Sequence, residues 1–367
     1  MPGKNPFTEP DTREPVTGPF AMQEVALANR NHGIALEMLR HDVTPAGMHY
    51  LLIHFDVPYV SEADAGAWRL KVGGLVERPL SLSLDEIKAM PARTTRVTLE
   101  CAGNGRGRFT PRWPSMPWLL GAVGTAEWTG TPLRAVLERA GLKPGAVDIS
   151  FHGIDRGFDK GNEHEYGRSL KPAMALGDDV LLVWAMNGQT LLPQHGFPLR
   201  MVVPGWYGMA SVKWLNRIEV LASPYQGYQH VGTYHFRPEA GEQGTPITTM
   251  RVKSLMVPPG LPDWYSGKRQ VDAGCVPIYG RAWSGAGTQI ARVEIAINGE
   301  WRDATLDAPA GRYAWRGFRF DWQAKPGAYD IVCRATDAAG NVQPMEAPFD
   351  RGGFGNNGVH MIEVFVK

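Results

Sequence analysis

Glycine and proline interrupt this chain so often that long helices are disfavoured throughout. The 367 residues include 43 glycines and 29 prolines, and both residue types favour turns over continuous helices. We therefore expect short strands joined by turns, with few and brief helices. The chain is long enough for two domains, and its 43% hydrophobic content is ordinary for a globular protein.

Residues 25–244 combine strand-like runs with short helices, which predicts an α+β domain. Apolar and β-branched residues favour strands in four runs, at 51–57, 68–72, 180–184 and 199–203. One short helix is expected after Ser83, which forms a capping box with Glu86 three residues later. A second, amphipathic helix is expected from Thr131 to Gly141, with a proline in its first turn and a glycine at its end.

Residues 245–367 have the short, turn-bounded pattern of an all-β domain. Strand-like runs occur at 276–282, 290–297, 317–322, 328–335 and 360–366. Asn298-Gly299 is a strong signal for a two-residue hairpin turn, and residues 337–341 indicate another turn. This spacing is typical of an immunoglobulin-like sandwich, which we expect to be a dimerisation or interaction domain. Residues 1–24, which are polar and rich in proline, are expected to form an extended arm.

The segment Thr-Leu-Glu-Cys-Ala-Gly-Asn-Gly-Arg-Gly-Arg-Phe at 98–109 concentrates the chemistry of the first domain. Cys101 follows a strand-like run, and a thiolate there is both a nucleophile and a soft metal ligand. The glycines let the backbone approach a bound group, and the arginines can hold an oxyanion with forked hydrogen bonds. We predict a metal-dependent redox site for a small oxyanion. The alternative is that Cys101 is simply a buried apolar side chain.

Charge and cysteine content argue against several other classes of protein. The net charge of +1 gives no electrostatic reason to bind nucleic acid or a membrane surface, and no run approaches the roughly 20 apolar residues of a membrane span. Three cysteines cannot form a disulfide scaffold. We expect Cys275 and Cys333 to be free thiols, with a bridge between them as the alternative.

The first residues have no apolar core of the kind that a signal peptide requires. We therefore expect the protein in the cytoplasm. An export signal missing from this chain would instead indicate the periplasm.

Four further segments of the first domain carry more polar groups than packing requires. They are Asn-Arg-Asn-His at 29–32, Gly-Ile-Asp at 153–155, the run 194–200 that contains a histidine and an arginine, and Ser-Val-Lys-Trp at 211–214. Together with the cysteine segment, they supply donors for a phosphate-bearing cofactor and a bound anion.

These motifs, in this order, resemble the sulfite oxidase family of molybdenum enzymes. The resemblance rests on Arg-Asn-His at 30–32, Cys-Ala-Gly-Asn at 101–104, Met-Asn-Gly-Gln at 186–189, His-Gly-Phe-Pro at 195–198, Val-Val-Pro-Gly at 202–205 and Ser-Val-Lys-Trp-Leu at 211–215. In the second half, Arg-Ala-Trp-Ser-Gly at 281–285 and the run 338–344 resemble the dimerisation domain of that family.

The resemblance implies a molybdenum–molybdopterin cofactor, with Cys101 as the thiolate ligand of the metal. The implied cofactor-binding residues are Arg30, Asn31, His32, Cys101, Asp155, His195, Arg200, Ser211, Val212 and Lys213. The implied residues around the reacting centre are Cys101, Arg30, Arg106, Trp118, Tyr234 and Arg351, the last of which the second domain contributes. Tyr225 and Tyr228 are alternatives to Tyr234.

By the same resemblance, we expect oxidation of sulfite to sulfate by oxygen-atom transfer, in a homodimer without haem in this chain. The electrons would pass to an external acceptor such as a c-type cytochrome. Two departures from the vertebrate pattern leave the substrate open, since Gly105 replaces an arginine and the segment 225–237 differs most. The alternatives are a sulfane dehydrogenase subunit, a sulfoxide or nitrate reductase, and, in another class, a non-catalytic immunoglobulin-like binding protein.

Overall fold

The structure is a computed structural model that describes residues 14–159 and 161–367. The described residues form five short α-helices and 22 strands, as the density of glycine and proline predicts. Most of the strands belong to four sheets of four to six strands each. Within these same ranges, no helix has the length and apolar character needed to cross a membrane.

Both predicted helices, after Ser83 and near Thr131–Gly141, are present, together with three that the sequence did not indicate. They are α1 (Met22–Arg30), α2 (Glu62–Ala67), α3 (Leu84–Lys88), α4 (Leu133–Ala140) and α5 (Pro172–Ala175). Ser83 and Glu86 accept each other's backbone N–H, so the predicted capping box of α3 is confirmed. Helix α4 starts after Pro132 and stops at Gly141, whose φ of +70° ends the helix.

Ten strands build two sheets in the first domain. They are β1 (Leu70–Gly74), β2 (Leu80–Leu82), β3 (Arg93–Glu100), β4 (Val123–Pro132), β5 (Asp148–Asp159), β6 (Asn162–Leu170), β7 (Leu181–Met186), β8 (Gln189–Thr190), β9 (Arg200–Val202) and β10 (Leu215–Leu221). One sheet has the order β2-β1-β10-β5-β6, and the other has the order β3-β4-β7-β8, with β9 paired to β7. A shared apolar core joins them, and this α+β architecture matches the prediction.

The second domain is a β-sandwich. After the small pair β11 (His235–Phe236) and β12 (Thr245–Pro246) come β13 (Lys253–Met256), β14 (Leu261–Pro262), β15 (Arg269–Val271), β16 (Gly274–Trp283), β17 (Ile290–Ile297), β18 (Glu300–Asp303), β19 (Thr305–Leu306), β20 (Arg316–Ala324), β21 (Gly327–Asp337) and β22 (His360–Val366). The sheet β13-β16-β20-β19 packs on the sheet β14-β15-β22-β21-β17-β18 around one apolar core. The predicted immunoglobulin-like sandwich is therefore confirmed.

The turns and thiols of the second domain also follow the prediction. Asn298 and Gly299 connect β17 to β18 with φ values of +47° and +88°, as a two-residue hairpin turn requires. The thiols of Cys275 and Cys333 are free, the first exposed and the second in the sandwich core.

Two expectations about backbone conformation are wrong. Residues 51–57 do not form a strand, because Leu51 pairs only with His32 and the Ile53 N–H donates to the Asn31 side chain instead of to a neighbouring strand. The expected extended arm ends early, since α1 already begins at Met22. The part of the arm before residue 14 lies outside the described residues.

Replacing Gly299 by alanine is expected to lower the free energy of unfolding by about 1 kcal/mol, measured by urea denaturation. Gly299 has a φ of +88° in open space, so the loss comes from the left-handed backbone alone. Gly47→Ala is the control, because Gly47 also has open space but no left-handed φ. Equal losses in the two variants would contradict this explanation.

Candidate active site

Cys101 lies where two cavities meet, directly after the end of β3. Its N–H donates to the Ala122 carbonyl at 2.9 Å, and its own carbonyl accepts the Asn104 N–H at 2.9 Å. The inner cavity has a volume of about 60 Å³ and the outer cavity about 510 Å³. Cys101 lines both, as do Leu52 and His54. The thiol therefore faces two separate sets of side chains.

The inner cavity collects most of the predicted cofactor-binding residues. Its predicted lining residues, besides Cys101, are Asp155, His195, Arg200, Ser211 and Lys213. They come from β5, from the turn before β9, from β9 itself and from the loop before β10, so distant segments of the chain converge here. Sequence reasoning missed other members of this wall, namely His49, Tyr50, His54 and Tyr166.

Two cations of the inner wall are held by backbone carbonyls. Arg200 donates to the His195 carbonyl at 2.9 Å, and Lys213 Nζ donates to the carbonyls of Leu52 and Gln194 at 2.9 and 3.0 Å. Burial lowers the pKa of Arg200 to about 10, and burial together with the nearby Arg200 charge lowers the pKa of Lys213. Because carbonyls do not neutralise charge, these cations favour an anionic ligand.

Asp155 and the inner histidines add hydrogen-bonding groups without adding positive charge. Burial raises the pKa of Asp155, and its Oδ1 has no hydrogen-bond partner within the protein. Burial also lowers the pKa of His195 to about 2, of His49 to about 4 and of His54 to about 3. These imidazoles are neutral at neutral pH and can donate or accept hydrogen bonds toward a polar ring system.

The outer cavity brings together all the residues predicted to lie around the reacting centre. They are Cys101, Arg30, Arg106, Trp118, Tyr234 and Arg351. Arg106 is the deepest of the three arginines: it is 6% exposed, donates to the Gly352 carbonyl at 2.8 Å and lies over the Phe354 ring. Arg30 and Arg351 stand nearer to solvent, paired with Asp56 and Glu14.

Tyr234 is the tyrosine of the outer cavity. Its hydroxyl shares a 2.9 Å hydrogen bond with His54 Nε2, and burial raises its pKa, so it stays protonated. Tyr225 and Tyr228 line neither cavity; they pack instead against His152 and His164. The structure thus selects Tyr234 from the three candidates by position.

The side chains of His32 and Val212 line neither of the two cavities. His32 is exposed and lines neither cavity, and its backbone pairs with Leu51. Asn31 lines only the outer cavity, and its side chain holds the Ile53 N–H at 2.6 Å, which fixes the segment leading to His54. Val212 packs in the apolar core. His49, His54 and His195 line the inner cavity, and His54 also lines the outer one; its isolation within an apolar run was the available signal.

Gly105 has a structural reason for not being an arginine. Its φ is +89°, and a Cβ there would lie 2.9 Å from Cγ of Asn356. The Asn356 amide donates to the Gly105 carbonyl at 2.9 Å. Residue 105 therefore serves the turn of the loop, and Arg106 is the arginine that the loop directs into the outer cavity.

The donor set fits a metal that brings most of its own ligands. In the described ranges, no group of three histidine, cysteine or acidic side chains is arranged to hold a metal ion. Cys101 offers a single soft sulfur. Burial raises its pKa, while the Arg106 charge, the Gly103 amide and the Trp118 indole oppose that rise and favour the thiolate. A metal carried on a dithiolene needs only such a thiolate, plus an anion-binding wall for the phosphate.

This fold and site define a molybdopterin-binding oxidoreductase. Residues 54–229 match the family model of the oxidoreductase molybdopterin binding domain, and residues 245–367 match that of the Mo-co oxidoreductase dimerisation domain. The chain belongs to the sulfite oxidase family of molybdenum enzymes, whose cofactor is molybdenum–molybdopterin.

Several characterised relatives share most of this chain. The sulfite oxidase of Gallus gallus is 35% identical over 333 residues, which cover 82% of this chain and 68% of the relative. A nitrate reductase [NADH] of Solanum lycopersicum is 31% identical over 350 residues, covering 86% of this chain but only 37% of the relative. The structure of the sulfane dehydrogenase SoxCD from Paracoccus pantotrophus matches with a TM-score of 0.78 and 25% identity, covering 100% of this chain and 97% of that one.

Lys213→Met is expected to lower the molybdenum and pterin content of the purified protein by about 10- to 100-fold. The variant would lose the charge-assisted hydrogen bond to the cofactor that the family resemblance assigns to Lys213, and such a bond contributes about 1.5–3 kcal/mol. The cofactor-free variant should be at least as stable as the parent, because it no longer buries an ammonium group.

Metal analysis, pterin fluorescence and thermal unfolding measure these effects. Lys143→Met, which removes an exposed lysine outside both cavities, is the control. Full cofactor content in the Lys213 variant would show that Lys213 does not bind the cofactor.

Proposed function

We propose that this protein oxidises sulfite to sulfate at the Cys101 site. The overall reaction joins sulfite and water to give sulfate, two protons and two electrons. The electrons leave singly to an external acceptor, for which we propose a c-type cytochrome. We also propose a homodimer, formed through the second domain, and a cytoplasmic location.

The charge of the outer cavity carries this proposal. The charged side chains that line it in the described ranges are four arginines and one carboxylate, namely Arg30, Arg106, Arg237, Arg351 and Asp159. Sulfite carries up to two negative charges at neutral pH, whereas nitrate carries one. An excess of arginines over carboxylates in the lining of this cavity therefore favours sulfite over nitrate.

The bound cofactor supplies the oxygen-atom and electron transfer, and the protein supplies binding and orientation. Arg106 is fixed by its hydrogen bonds to the Gly352 and Met116 carbonyls and by packing on Phe354, which together hold the guanidinium at the outer cavity. Arg351 and Arg30, nearer to solvent, attract the substrate and can release it by returning to Glu14 and Asp56. Trp118 forms a buried wall that limits access of water.

Tyr234 holds a proton at the reacting centre. Because burial raises the pKa of Tyr234, its hydroxyl can donate a hydrogen bond to a substrate oxygen. His54, neutral at neutral pH, accepts the same proton or shares its own through the 2.9 Å contact. Arg168, whose guanidinium lies 5.2 Å from the centre of the Tyr234 ring, stabilises any negative charge that develops on the phenol oxygen.

The likeness to nitrate reductase and to sulfane dehydrogenase makes their reactions the second candidates. Either activity requires that the same arginines orient a different anion or a sulfur-bound substrate. The chain spans only 37% of the tomato nitrate reductase, so the route of the electrons in that protein carries no information about this chain.

In a steady-state assay with artificial electron carriers, the molybdenum-loaded protein is expected to oxidise sulfite with a kcat/KM well above its values for thiosulfate, nitrate and methionine sulfoxide. Cys101→Ser should abolish the activity while leaving a folded protein that contains pterin, because it removes the metal's thiolate. Cys275→Ser, at an exposed thiol outside both cavities, should be fully active. A higher kcat/KM for nitrate or thiosulfate than for sulfite would show that sulfite is not the preferred substrate.

Arg106→Met is expected to raise the KM for sulfite by about 10- to 100-fold, which is the effect of removing a charge-assisted hydrogen bond worth about 1.5–3 kcal/mol. The matched control is Arg108→Met, since Arg108 is on the same turn but is exposed and lines neither cavity. The same KM in both variants would show that Arg106 does not bind substrate.

A further inference from the structure

We propose that the buried ion pair Glu100–Lys253 is a positioning pair that fixes the direction of the Cys101 thiolate. Glu100 is the last residue of β3, immediately before the cysteine, and Lys253 begins β13 in the second domain. The proposal concerns the protein ligand of the metal. It therefore does not depend on which anion the enzyme oxidises.

The buried Glu100 carboxylate accepts hydrogen bonds from three side chains. Oε1 accepts from Lys253 Nζ and from Asn104 Nδ2, each at 2.9 Å, and Oε2 accepts from Trp283 Nε1 at 2.9 Å. Glu100 is 2% exposed and Lys253 1% exposed. Two of the three donors, on Lys253 and Trp283, belong to the second domain. The end of β3 is therefore bonded directly to that domain.

Lys253 extends this connection to the far side of the cysteine loop. Its ammonium group also donates to the Asn356 carbonyl at 2.6 Å, and the Asn356 amide donates to the Gly105 carbonyl at 2.9 Å. One buried lysine thus connects the residue before Cys101 with a residue four positions after it. The loop is held at both ends by a single group of side chains.

Further bonds to the second domain lie between these two ends. The Gly355 N–H donates to the Ala102 carbonyl at 2.8 Å, and Arg106 Nε donates to the Gly352 carbonyl at 2.8 Å. The backbone of Cys101 itself bonds within the first domain, to Ala122 and Asn104. The direction of the thiol is therefore set by neighbours that the second domain holds.

Stability alone does not explain an ion pair at this position. Burying two charges is unfavourable even when they are paired, and apolar side chains of similar volume often serve as well or better. A fully hydrogen-bonded ion pair, however, fixes the two side chains in one geometry, whereas an apolar contact allows several.

The test compares a charge-neutral replacement, Glu100→Gln with Lys253→Met, with the unmodified protein in cofactor-free and molybdenum-loaded forms. The cofactor-free double variant is expected to stay folded, with at least 10-fold faster amide hydrogen exchange over residues 101–106 and at least 10-fold faster alkylation of Cys101. After loading, the spectroscopic signature of the molybdenum–thiolate bond should change for each bound metal. The kcat should fall more than 10-fold, with a smaller change in KM.

A second ion pair between the domains provides the matched control. Arg269 and Glu37 are in contact at 2.6 Å, and neither lines a cavity. Glu37→Gln with Arg269→Met should leave loop exchange, alkylation and the metal signature unchanged, whatever it does to the melting temperature.

A milder variant keeps the test valid if the double variant does not fold. Trp283→Phe removes only the indole N–H that Oε2 of Glu100 accepts, and it should change the same measurements in the same direction by about 3-fold. Unchanged loop exchange, alkylation and metal signature in the folded variants, with only a lower melting temperature, would overturn the proposal. The exchange and alkylation arms need no substrate, so absence of sulfite oxidation leaves this result intact.

Discussion

This site depends on buried arginine and lysine side chains that donate hydrogen bonds to backbone carbonyls. Arg200, Lys213, Arg106 and Arg168 each donate to main-chain oxygens in or beside the two cavities. Carbonyls satisfy N–H donors without neutralising the positive charge, and a cation buried in this way is costly unless negative charge lies nearby. In the function proposed above, the phosphate of the cofactor and the anionic substrate would supply negative charge to these cations, and their binding would complete the electrostatics of the site.

Both domains contribute residues to the site, and their contributions differ. The first domain supplies the thiol and nearly all of the inner wall, whereas the second supplies Arg351 and Phe354 to the outer wall and holds the cysteine loop. The sandwich thus takes part in forming the site through the loop that precedes β22. Family descriptions that assign it to dimerisation cover only part of its contribution.

The sequence predicted what local patterns determine. Strands β17 and β22, the turn at Asn298 and the cap at Ser83 follow from alternation and turn chemistry within a few residues, and all are present. Several residues that line the inner cavity were predicted from the ordered motifs of the sequence. Sequence reasoning did not find His54, which lines both cavities, because it lies alone in an apolar run and belongs to none of the motifs. The Glu100–Lys253 pair joins residues 153 positions apart, and no local pattern indicates such a contact.

The left-handed backbone at Gly105 limits how this site can evolve. A side chain at 105 meets Asn356, and Asn356 is bonded to the lysine that holds Glu100. A mutation that adds a second arginine to the loop is therefore tolerated only together with changes more than two hundred positions away. The residue at position 105 is thus coupled through Asn356 to the second domain, and both domains together constrain the backbone of the cysteine loop.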